Sequence, residues 1–241
     1  FGMYVESPFE QKNRCLLICR DVSSRNTRRG YEEYRKLAEY IARMSWQKKG
    51  NYMVFFPSYK LMEDVYQVYQ DEFSAGWVRC ICQHASMTEK EREEFLEAFT
   101  EENEDTLIGF CVMGGIFSEG IDLIGNRLIG VAVVGTGIPQ VNCEREILKN
   151  YYDAKGEQGF DYAYRYPGMN KVLQSAGRVI RTKEDTGTIL LMDERFVSRE
   201  YQALFPREWN DAGICALENV EQQIGKFWKQ RERQFQKEKH K

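Results

Sequence analysis

Six short apolar runs punctuate this 241-residue chain, and segments of helical period lie between them. The runs are Leu16–Cys19, Tyr52–Phe56, Val78–Cys82, Leu107–Met113, Leu128–Val134 and Thr188–Met192. They are largely continuous rather than alternating, which is the pattern of strands buried on both faces. Between the first two, Tyr31, Tyr34, Leu37, Ala38, Ile41 and Met44 recur at three- and four-residue steps, an amphipathic helix. Ser58 is placed to cap a helix marked by Leu61, Val65 and Val68, and Thr88 with Glu91 forms a capping-box pattern. Further helices are expected near Glu144–Tyr152 and Val172–Ile180. Strands and helices in this alternation predict an α/β fold, a mostly parallel sheet with helices on both faces. One domain is expected over residues 1–205 with an insertion at about 138–166, followed by a C-terminal helix and basic tail over 206–241. Leu217, Val220, Ile224, Phe227 and Trp228 form an apolar stripe on that last helix.

Parallel sheets hold ligands at the carboxyl ends of their strands. Three polar segments follow strands directly: Pro57-Ser58-Tyr59, Gly114-Gly115 and Gly135-Thr136-Gly137. In Gly114-Gly115-Ile116-Phe117-Ser118-Glu119-Gly120-Ile121-Asp122 the glycines let the backbone approach a phosphate and aim its N–H groups at it. Glu119 and Asp122 can accept bonds from a ribose, an arginine or a metal-bound water. The same segment also fits a plain strand-to-turn connection capped by its acids. Gln174-Ser175-Ala176-Gly177-Arg178-Val179-Ile180-Arg181 places two arginines three residues apart, one helical step, so both forks can converge on one anion. Taken alone, two surface arginines in ion pairs fit it as well.

Other chemistries are excluded by what is missing. No Gly-x4-Gly-Lys-[Ser/Thr] loop is present, because Gly225-Lys226 is followed by Phe227. A hydrolase elbow fails because Ile116 stands where its first glycine belongs, and Gly135-Thr136-Gly137 lacks the third glycine of a dinucleotide fingerprint. His84 and His240 are the only histidines. The seven cysteines have no zinc-ribbon spacing and sit mostly in apolar runs, so no metal site is expected and a reducing cytoplasm is the natural home. A net charge of −3 argues against a generally basic surface but permits a local basic groove. No apolar run is long enough to span a membrane. The chain opens on Phe1 rather than Met, and a fragment or processed product is expected.

The order of these motifs resembles that of superfamily-2 DNA helicases of the XPD/DinG-like branch. Gln174 to Arg181 resembles motif VI, Phe117 to Asp122 motif V, and Phe55-Phe56-Pro57-Ser58-Tyr59 motif IV. Gln83 falls where the branch keeps a glutamine, Ser7-Pro8-Phe9 resembles the entry to the second motor domain, and Asp193 with Arg195 matches the Asp-x-Arg closing the last strand. Gly135-Thr136-Gly137-Ile138-Pro139 departs from the branch's Leu-Pro-Phe-type segment. The resemblance implies a RecA-like second motor domain, which explains phosphate-recognising motifs without a P-loop. It implies that ATP and Mg²⁺ are held mainly by a first RecA-like domain, with Arg178 and Arg181 reaching the γ-phosphate and Gln174 positioning phosphate or water. Glu119, Gly120, Asp122 and Gly177 would couple the nucleotide cleft to DNA. Ser58, Tyr59, Gln83, Gly114 and Gly115 would contact single-stranded DNA. The implied movement is 5′ to 3′, in the cytoplasm or in a nucleus if the source is eukaryotic, and this piece alone would be a monomer that neither hydrolyses ATP nor unwinds. A non-catalytic module binding nucleic acid or a partner, and an unrelated doubly wound nucleotide enzyme, are the rival readings.

Overall fold

Side chains of successive strand residues leave a sheet on opposite faces, so a strand apolar at every position needs a core on each side. The computed structural model, which describes residues 11–118 and 123–239, supplies both. Strands β1 (Arg14–Cys19), β2 (Asn51–Phe56), β3 (Val78–Cys82), β4 (Thr106–Val112), β5 (Gly130–Val134), β6 (Gly187–Met192) and β7 (Gly213–Cys215) form one sheet. Its order is β3-β4-β2-β5-β6-β1-β7, and every pairing is parallel. Tyr52, Val54 and Phe56 of β2 and Leu190 and Met192 of β6 enter one core. Helices α1 (Tyr31–Ser45), α2 (Tyr59–Glu72) and α7 (Val220–Lys239) cover it. Met53, Phe55, Ile189 and Leu191 enter the opposite core, under α3 (Glu89–Glu97) and α5 (Tyr166–Ala176).

Local signals act where they stand. Ser58 Oγ accepts the Leu61 amide at 3.3 Å and opens α2. Thr88 Oγ1 accepts the Glu91 amide while the Glu91 carboxylate accepts the Thr88 amide at 2.7 Å, a complete capping box on α3. The 138–166 stretch contains α4 (Cys143–Ala154) and a π-helical turn at Asp161–Arg165 that runs into α5. A short α6 (Arg199–Gln202) follows β6.

Two elements differ from expectation. The helix expected to reach Ile180 stops at Ala176, with Gly177 as its cap. Strand β7 was not visible in the apolar pattern, since three residues, Gly-Ile-Cys, carry no periodicity. It is held at the sheet edge by its neighbours: Arg20 N–H donates to the Cys215 carbonyl at 3.0 Å, and Leu217 N–H donates to Asp21 at 3.1 Å. Val220, Ile224 and Trp228 of α7 then bury against α1. Ser7-Pro8-Phe9, Glu119, Gly120 and Asp122 lie outside the described residues.

Candidate functional site

Motif IV begins where β2 ends. Pro57 cannot extend the ladder, and Ser58, in extended backbone, turns the chain into α2. Tyr59 beside it accepts a hydrogen bond on its hydroxyl from Gln83 Nε2 at 3.0 Å. Gln83 is only 3% exposed, and its Oε1 accepts the Val112 amide at 2.9 Å. Its amide therefore ties the head of α2 to the end of β4, and its surface is not open to a ligand.

The glycine turn follows β4. Gly114 has φ +69°, a left-handed conformation natural to glycine. Gly115 N–H donates back to Val112 O at 3.2 Å, and Ser118, fully buried, donates through Oγ to Gly115 O at 2.8 Å. A Cβ on Gly114 would lie 3.2 Å from the Lys171 Cε, which places a lysine stem of α5 over the turn. Lys171 lies three residues before Gln174 in the sequence, so helical spacing from motif VI could have found it.

Motif VI straddles the end of α5. Gln174 is exposed on the last helical turn, Gly177 N–H closes on Leu173 O at 2.9 Å, and Arg178 N–H donates to Ser175 O at 3.3 Å. Arg178 is 9% exposed, and its Nε donates to the Gln174 carbonyl at 3.2 Å. Arg181 is beyond the helix, so the two arginines do not sit on one helical face as their spacing suggested. The carboxylate of Asp185, 4% exposed, accepts the Arg181 amide at 2.7 Å and the Thr182 amide at 2.6 Å, and through its other oxygen the Gly125 amide at 3.0 Å. One buried carboxylate thus fastens the arginine loop to the far end of the motif V segment. The Arg181 and Thr182 partners of Asp185 are local, but no sequence pattern marks the third, because Gly125 is 60 residues away.

The last strand ends on Asp193, which has no exposed surface. Its Oδ1 accepts Arg195 Nε at 2.7 Å, and its Oδ2 accepts Ser24 N–H at 2.9 Å and Arg195 Nη2 at 2.8 Å. Burial alone would raise the Asp193 pKa, but the Arg195 hydrogen bond and charge and the two backbone N–H groups outweigh it and hold it below the ordinary value. Glu194 turns away to Arg25 at 3.4 Å and Arg28 at 3.5 Å.

All the cysteines but the exposed Cys143 pack in the cores. Burial pushes the Cys15 and Cys82 thiols up to about 12, where little thiolate forms. Among the described residues no group of three metal-ligating side chains converges, and no helix is long and apolar enough to cross a membrane.

A parallel sheet covered on both faces, with the segments resembling motifs IV and VI and the first residues of motif V in order along it, defines the second RecA-like domain of a superfamily-2 helicase. Residues 41–212 match the helicase C-terminal domain family, and the chain belongs to it. It is 27% identical over 236 residues to a regulator of telomere elongation helicase 1 homolog of Caenorhabditis briggsae, covering 87% of this chain and 23% of that protein. It is 28% identical over 182 residues to the ATP-dependent DNA helicase XPD of Sulfolobus acidocaldarius, covering 74% of this chain and 31% of the relative. Against the 3'-5' exonuclease DinG of Bacillus subtilis the identity is 25% over 205 residues, with 84% and 21% covered. The chain therefore spans about a fifth to a third of the length of these curated relatives. Among solved structures, an apo XPD superimposes with a TM-score of 0.67 at 21% identity, covering 85% of this chain and 40% of that one. The C-terminal domain of the DEAD-box protein Dbp5 gives 0.51 at 15% identity, with 90% and 98% covered, a likeness of fold.

Proposed function

We propose that this domain is the second half of an ATP-driven DNA motor, closing on ATP bound by a first RecA-like domain and carrying part of the track for single-stranded DNA. The observation that carries the reading is the Asp185 clasp, which makes the arginine loop and the end of the motif V segment one mechanical unit.

In this reading Arg178 and Arg181 stabilise the charge that develops on the transferred phosphoryl group. The Arg178 hydrogen bond to the end of α5 presets its direction, so little side-chain ordering is left for the moment of closure. Gln174, exposed beside them, positions phosphate or water, and Gly177 lets the loop leave the helix. Mg²⁺ would be held with ATP by the first domain, since these residues offer cations and neutral donors rather than carboxylates. Ser58 and Gly114 contact the strand through hydroxyl and amide donors, with Gly115 closing the turn and letting the strand approach, a mode indifferent to base sequence, and Lys171 adds a charge at the glycine turn. Gln83 and Tyr59 brace that surface from beneath. Glu119, Gly120 and Asp122 belong to the coupling segment between the two ends. Each closure and opening then moves the strand by a step, 5′ to 3′ if the resemblance to the branch holds.

The test is to measure ATP hydrolysis, with and without oligo(dT), for a first motor domain alone and for the polypeptide that joins it to this chain. Hydrolysis stimulated by the strand only in the joined protein is expected. Equal hydrolysis by the first domain alone would overturn the proposal.

A further inference from the structure

Between the carboxyl ends of β1, β2, β5 and β6 lies a cavity of about 540 Å³. Its size falls within the roughly 300–1,000 Å³ of sites that enclose small ligands. Arg25, Arg29 and Arg195 line it, and no carboxylate does. Arg195 is immobilised and neutralised by Asp193, and Arg25 shares Glu194. Arg29 is exposed and has no ion-pair partner among the described residues. On another wall, Ser58 opens the 14-residue α2, whose first turn carries no acidic residue, so the partial positive charge of its amides is uncompensated. Thr136 lines the cavity at 1% exposure, its side chain packed into the wall.

The remaining surface is of a different kind. Pro57, Ile138 and Pro139 give apolar walls, while Asn26 and Gln140 bring amides that can both donate and accept. Cations, apolar walls and adaptable amides in one cavity fit a phosphate joined to a flat base better than a free anion. We propose that this cavity seats one nucleotide of the bound strand, splayed out of the base stack. Its phosphate lies toward Arg25, Arg29 and the start of α2, and its base lies against Pro57, Ile138 and Pro139. The amides serve any base edge, so the seat is indifferent to sequence. This inference rests on the reading that the domain carries single-stranded DNA.

The experiment titrates the chain with oligo(dT) containing a single 2-aminopurine, whose fluorescence rises when it leaves the stack, at several salt concentrations. Arg29→Ala removes an exposed, unpaired charge and leaves the fold intact, and Lys60→Ala, on α2 but outside the cavity, is the control. Arg29→Ala is expected to weaken binding roughly tenfold, as for one charged hydrogen bond, to lower the salt slope by about 0.7, and to abolish the fluorescence rise. The control is expected to keep the rise. Strand binding by the wild type with no rise, or with unchanged affinity and slope in Arg29→Ala, would overturn the seat while leaving the track in place. No strand binding by the wild type would overturn both.

Discussion

Asp193 and Asp185 show how this domain keeps charged residues inside. Each carboxylate is nearly or wholly buried, and each is surrounded by donors from distant parts of the chain. Removing one partner of a buried pair costs about 3–5 kcal/mol because the other charge is left unpaired, so Asp193→Ala should lower the urea midpoint accordingly. The sign with pH follows from its depressed pKa. Its stabilisation is fully present above the unfolded value of about 3.9 and is lost as pH falls through the lower folded value, so wild type and Asp193→Asn should converge in stability in that acid range. At Asp185 the prediction is functional as well as structural. Asp185→Ala frees three amides and should loosen the arginine loop, lowering strand-stimulated ATP hydrolysis of the joined motor more than it lowers its affinity for oligo(dT). Sequence reading found the Asp193–Arg195 pair because its members are two residues apart, and missed the Ser24–Asp193 and Gly125–Asp185 bonds because their members come from remote segments.

At the scale of elements, the apolar pattern placed six strands and the main helices, since burial on both faces of a sheet leaves a direct trace in residue type. It failed at the end of α5 for an identifiable reason. Val172, Ala176 and Val179 keep helical spacing and all enter the same core, yet the helix stops between the last two. Gly177 weakens the helix there, and Asp185 offers the Arg181 and Thr182 amides a better partner than a further helical turn would. The close approach of two other glycines was also illegible. Gly137 has φ +67°, and a Cβ on it would lie 2.5 Å from the Gly168 carbonyl, while one on Gly168 would lie 2.6 Å from the Thr136 carbonyl. Both clashes are with backbone, which cannot swing aside. Gly168→Ala should therefore separate the 135–137 turn from α5, cost about 1–3 kcal/mol in urea unfolding, and disturb the cavity beside it.

For the molecule as a whole, the chain beyond β6 is part of the same body. β7 extends the sheet beyond β1, and Trp228 of α7 is buried against α1 with Lys48 lying 4.7 Å from its ring centre. Trp228→Ala should cost about 3–5 kcal/mol, read as a shift in thermal or urea midpoint, whereas changes at the exposed Arg233 and Lys237 further along α7 should have little effect. Motif order in the sequence was enough to identify a second helicase domain without the fold. What the fold adds is the linkage: through Asp185 the arginine loop is fastened to Gly125, in the segment that leaves the glycine turn. The most direct measurement is strand-stimulated ATP hydrolysis by the polypeptide joining a first motor domain to this chain, wild type against Arg178→Ala. A loss of about 10³-fold or more in kcat with folding and oligo(dT) affinity retained is the predicted result. Unchanged hydrolysis would contradict it and remove Arg178 from the reaction.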